Sequence, residues 1–200
     1  MARNYRMRRR AEAQVEVRER ILRATMSVHD EKGVAPTTYA DVADRAGVGV
    51  ATVYRHFPKI GDLIMACGGH VWAELQPPTA ETAAQTFVGV SSRRDRLLRL
   101  VEELDAFYER GSFRLALAGR DRELVPEVHA FLTAVEAGTE ALVREGLGPE
   151  ALPETTIKVA LALLSFPSWQ AFRRQHLSAG DTVEAQVRLL NSAIATPARD

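Results

Sequence analysis

Thr52, Tyr54, Arg55 and His56 follow one another closely, and each carries a group that can bond to an anion or to a base edge. Two hydroxyls, a guanidinium and an imidazole on one short stretch suit recognition better than reaction. Val50 and Ala51 come just before them and are small enough to let the backbone approach a partner. This surface fits the major groove of DNA, where the first residues of a short helix meet base edges. Catalytic patterns are missing from the sequence: no Gly-x-Ser-x-Gly, no P-loop and no Gly-x-Gly-x-x-Gly. No pair of carboxylates sits in an apolar setting, so an enzyme is not expected. Cys67, His70 and Glu74 share a helix face at i, i+3 and i+7, an arrangement a metal can use. Cys67 reads more simply as core and Glu74 as solvated, so neither a metal nor another cofactor is expected. A lone cysteine also excludes an internal disulfide.

These residues need elements to hold them. Val17, Ile21, Ala24 and Val28 recur at helical spacing and predict a first helix ending near Lys32-Gly33. Thr38 with Asp41 predicts a capped second helix, whose inner face is Val42, Ala43 and Ala46 and which stops at Gly47. A short third helix is expected over about 49–56, and a fourth over 60–75 carrying Leu63, Ile64, Cys67, Val71 and Leu75. Two short helices joined by a glycine turn are the pattern of a helix-turn-helix. Residues 76–91 are poorly patterned, and beyond them helices are predicted at about 92–110, 112–118, 123–146, 154–176 and 181–196. Gly111, Gly119 and the run from Gly146 to Pro149 serve as stops, and Pro167 should break or kink its helix. No stretch alternates with period two, so no sheet is expected.

Charge separates the parts. The chain has 200 residues with 26 basic and 26 acidic side chains; residues 1–62 hold 12 against 8, and the remainder 14 against 18. The excess of base at the start, with Arg3, Arg6, Arg8, Arg9 and Arg10, hints at a nucleic-acid partner. A secretory signal would continue with an apolar run, but AEAQVEVRER follows. The apolar run VALALLSF is far short of the ~20 residues of a membrane span, so a soluble cytoplasmic protein is expected.

The opening helix ending in EKG, the Thr-Thr pair, ADVADRAGV and ATVYRHFP together resemble the DNA-binding domain of the TetR family of bacterial transcriptional regulators. The likeness covers residues 15–65. It departs from the family pattern at Ala40, Gly49, Val50 and Ile60, where the family commonly carries a cap or a basic residue. The resemblance implies a homodimeric repressor that reads a palindromic operator in double-stranded DNA and is released by a small-molecule effector. By the same resemblance Thr38 and Lys59 meet phosphates, Val50, Ala51 and Thr52 face bases, and Tyr54 and His56 meet backbone or base edges; Arg55 joins them as a donor. The last helices resemble the family's dimerising pair, with Val183, Val187, Leu190 and Ile194 as the stripe. Phe107, Tyr108, Phe113, Phe131, Phe166 and Trp169 are candidates for an effector pocket.

The expected architecture is all-α: a basic flexible arm over 1–14, a three-helix DNA-binding domain over 15–62 and, through a linking helix, a helical effector-binding and dimerisation domain over 63–200. The competing reading is a ligand-independent architectural DNA binder, or a protein-interaction module, on the same fold.

Overall fold

The computed structural model describes residues 2–149 and 152–195, with side chains described from residue 7 onward apart from Arg10. All regular structure among the described residues is helical. The chain divides into two compact units: Met1–Glu74 with Phe113–Leu132, and Leu75–Ser112 with Thr133–Asp200.

The first unit opens with α1 (Ala2–Lys32). Its buried residues Ile21, Leu22, Ala24 and Val28 keep the spacing seen in the sequence. The expected flexible arm is instead continuous with this helix. Alanine, glutamate and arginine are strong helix formers, and Arg8 pairs with Glu12 one turn on at 3.5 Å. Next comes α2 (Tyr39–Ala46), where Thr38 and Asp41 form the reciprocal cap: the Asp41 amide donates to the Thr38 hydroxyl, and the Thr38 amide donates to the Asp41 carboxylate. Gly47 ends α2 at φ 61°, the left-handed region that a residue without Cβ enters freely. The chain then enters α3 (Val50–His56) and α4 (Ile60–Leu75). Val53 and Phe57 anchor α3 in one core with Ile21, Leu22, Val42, Ala43, Ala46 and Leu63.

Two longer helices supply the rest: α6 (Arg93–Asp121) and α7 (Pro126–Leu147). The end of α6 and the start of α7 belong to the first unit. Gly111 and Gly119 do not stop α6 as expected. Leu97, Leu100, Val101, Leu104, Phe107, Tyr108, Gly111 and Leu115 form one buried helical stripe, and its packing outweighs the ~1 kcal/mol a helical glycine costs. In the first unit Arg114 of α6 clasps Asp30 at 3.0 and 3.2 Å and also binds Glu74. Asp121, at the end of α6, accepts from the amides of Val34 (2.6 Å) and Ala35 (3.2 Å) in the turn before α2.

The second unit adds α5 (Ala80–Thr86), α8 (Glu154–Leu163), α9 (Phe166–Arg174) and α10 (Ala179–Ala195). Thr79 and Thr82 cap α5, a helix hidden from the sequence reading because it is short and mostly exposed. The expected helix over 154–176 is two: Ser165 caps α9 and Pro167 sits in its first turn, where proline's missing N–H is harmless. Ser178 caps α10, with Asp181 as its partner three residues on. Gly138 of α7 lies against the 77–79 segment so closely that a Cβ would stand 1.9 Å from the Pro78 carbonyl oxygen.

Candidate nucleic-acid interface

The short α3 presents one face to solvent and one to the core. Val53 and Phe57 face inward; Val50, Ala51, Tyr54 and Arg55 are exposed, and Thr52 and His56 are half-buried. Lys59, on the following turn, is also exposed. Seven of the eight residues read from the sequence as DNA-facing thus lie on α3 or just after it. Thr38, the eighth, is exposed at the start of α2, but its hydroxyl already donates to Asp41 at 2.5 Å. Lys32 closes the same corner, 2.6 Å from Asp41, and with the capping bonds holds that carboxyl well below its usual range.

Tyr54 is 50% exposed, yet its ring is held: it lies 4.2 Å, centroid to centroid, from Tyr39. Tyr39 in turn donates its hydroxyl to the Phe57 carbonyl at 2.7 Å, tying α2 to the end of α3. Tyr39 therefore orients the exposed tyrosine, a role that its Thr-Thr-Tyr setting did not disclose. The Arg18 guanidinium of α1 stacks over the Phe57 ring at 5.0 Å. Partial burial, then the charges of Arg55 and Arg18, push the His56 imidazole below its ordinary value. His56 is accordingly neutral near pH 7 and offers one donor and one acceptor rather than a charge. A narrow, convex, polar face with small residues first and donors behind them can enter a groove and bond to base edges and phosphates.

Cys67, His70 and Glu74 each have a separate partner. Cys67 Sγ faces His29 Nδ1 at 3.6 Å, His70 lies 3.8 Å from Glu19, and Glu74 binds Arg114. The expected effector residues fall into two groups. Phe107, Tyr108, Phe166 and Trp169 form one aromatic cluster in the second unit, with neighbouring rings 5.3 to 5.9 Å apart. Trp169 Nε1 donates to Asp105 at 2.8 Å, Arg173 binds the same carboxylate at 3.0 Å, and the Tyr108 hydroxyl donates to the Leu164 carbonyl. Asp105 and Arg173 were not expected; the signal was the buried indole N–H, which must find an acceptor. Phe113 and Phe131 belong to the first unit instead. Phe113 is 59% exposed in a groove with Arg23, Met26 and Asp30, and Phe131 packs edge-on against Trp72. In the expected dimer stripe, Val187 and Leu190 are buried by their own chain, while Val183 and Ile194 are half-buried.

A short exposed helix, set across a left-handed glycine turn from a capped partner and seated on a long first helix, defines a helix-turn-helix unit. Residues 21–67 match the family model for bacterial regulatory proteins of the tetR family. The chain is 38% identical over 73 residues to the HTH-type transcriptional repressor KstR of Mycobacterium tuberculosis, covering 36% of this chain and 33% of that protein. This match spans only about a third of the repressor's length. It is 28% identical over 170 residues to the uncharacterized HTH-type transcriptional regulator Rv2912c of the same species, 82% of this chain and 83% of the relative. The fold is like that of the TetR-like regulator LfrR of Mycobacterium smegmatis, solved in complex with proflavine, at a TM-score of 0.51 and 23% identity over 92% of this chain and 99% of that one. The relatives are regulators rather than enzymes. Among the described residues no helix is long and apolar enough to cross a membrane.

Proposed function

We propose that the chain is a homodimeric repressor that reads a palindromic operator and leaves it when a small, largely apolar effector binds. The observation that carries this reading is the outward face of α3, with Val50, Ala51, Tyr54 and Arg55 exposed while Val53 and Phe57 hold the helix in place. In this role Val50, Ala51 and Thr52 face bases, Tyr54, Arg55 and His56 bond to backbone or base edges, and Lys59 and the Thr38 corner meet phosphates. Two copies of α3 one DNA turn apart, ~34–36 Å, read the two halves of an inverted repeat. The chain works where such DNA lies, in the cytoplasm.

For the effector we favour the cluster of Phe107, Tyr108, Phe166 and Trp169, whose flat apolar faces suit an aromatic or hydrocarbon ligand. The proflavine held by LfrR is a ligand of that general kind. Phe113 and Phe131 are left out of this site. A ligand that fits only a dimer with wrongly spaced α3 helices draws the protein off DNA, and a full swing from 1:99 to 99:1 takes about 5.5 kcal/mol of differential affinity.

Selection of bound duplexes from a random pool, followed by sequencing, tests the reading. Enrichment of an inverted repeat is the expected result. Salt-sensitive binding to every duplex, with no enriched sequence, would leave only an architectural role.

A further inference from the structure

We propose that the first turns of α1 form a second DNA-contacting element, a basic helix that grips backbone phosphates beside the groove entered by α3. This rests on the DNA-facing reading of α3 and adds a separate surface to it. The first eleven residues contain Arg3, Arg6, Arg8, Arg9 and Arg10 and no acid. Met7, Arg8, Arg9 and residues 11–16 are all exposed, and among the described residues of α1 the first that is buried is Ile21. The described side chains of this stretch therefore add nothing to the core of their unit, and they present their charge to solvent.

The position of the stretch points to a partner for that charge. Arg18 stacks over Phe57, the residue that closes α3, and its charge reaches His56. From that point α1 runs on toward Ala2, rising ~1.5 Å per residue, so Arg8 and Arg9 stand about 15 Å further along. A duplex strand carries one phosphate per ~3.4 Å of axis, so a helix of that reach spans several of them. Glu12 does not neutralise the surface. It is largely exposed, as is Arg8, and such pairs contribute little, whereas a row of phosphates offers an arginine a fixed, multiply charged partner. Acidic proteins and anionic lipid also attract arginines, but only DNA is already expected at the neighbouring helix.

The test compares three proteins on the selected operator and on a scrambled duplex, titrated at several salt concentrations. They are the full chain, the full chain with Arg8→Gln and Arg9→Gln, and a chain starting at Gln14. Each lost phosphate contact should reduce the slope of log K against log salt by about 0.9. The double variant should lose about 1–2 in slope, the truncated chain more, and both should keep the full chain's preference for operator over scrambled duplex. Unchanged slopes and affinities in both variants, with a full chain that still selects its operator, would overturn this inference alone. A full chain that selects no sequence would overturn the reading of α3 and this inference with it. Loss of binding to phosphatidylserine vesicles in the variants, with DNA binding intact, would assign the helix to a membrane surface instead.

Discussion

His29 and Cys67 show how little room a buried polar pair has. They face each other at 3.6 Å inside the first unit, and burial holds the imidazole down to about 4 and the thiol up to about 12. Both are therefore neutral at pH 7. A histidine whose folded value lies below its unfolded one binds its proton more readily in the unfolded chain, so acid favours unfolding. The stabilising contribution is complete above the unfolded value of about 6.5 and is lost as pH falls toward the folded value of about 4. Between about pH 7 and pH 5 the unfolding free energy should drop by roughly 2 kcal/mol through this group. Urea titrations at the two pH values measure it, and His29→Gln should flatten the difference; an equal slope in the variant would assign the acid sensitivity elsewhere. Residue identity alone exposed part of this scale. The outward donors of α3 were legible because a short polar helix after a glycine turn has few other uses. The Tyr39 contact that steadies Tyr54, and the acceptor that Asp105 offers Trp169, depend on neighbours distant in sequence.

Among the elements, α6 carries most of the difference between expectation and structure. Its glycines invited a break at Gly111, but the apolar stripe from Leu97 to Leu115 runs through that position without a change of register. The end of α6 then does something no local pattern encodes: the buried Asp121 carboxylate satisfies two backbone amides in the turn between α1 and α2. Those amides, at Val34 and Ala35, fix the entry to the helix-turn-helix. Asp121→Ala should cost about 2 kcal/mol and raise hydrogen exchange at Val34 and Ala35, because the donors lose their partner. Asp121→Asn keeps an acceptor oxygen and should recover most of the stability. If the alanine variant matches the wild-type protein in both readouts, the carboxylate does not organise that turn.

For the whole molecule, the proposed homodimer raises the question of which surface would join two copies. The stripe on α10 read from the sequence is largely a core stripe. Leu190 is 0% exposed, and α10 packs on α8 within the same chain. The large apolar residues left exposed on the described parts of these two helices are Val159, at 53%, and Leu189, at 49%. Val159→Glu with Leu189→Glu should yield a folded monomer in sedimentation. Leu190→Glu should instead unfold the second unit, since it forces a charge into packed hydrocarbon. A double variant that still sediments as a dimer would move the interface to another face.

Sequence by itself determined the helical class, the capped α2, the Gly47 turn and the polar outer face of α3. All of these rest on interactions within a few residues: a hydroxyl and a carboxylate three apart, a φ that glycine adopts freely, and apolar spacing that matches the helical turn. Tertiary structure decided what depends on the far side of each helix. It set which aromatic residues cluster, assigning Phe107, Tyr108, Phe166 and Trp169 to one unit and Phe113 and Phe131 to the other. It buried Val187 and Leu190 of the α10 stripe within the chain, and it brought Asp121 to Val34 across 87 residues. An apolar stripe states only that a helix must be covered; the packing of the remaining helices decides what covers it.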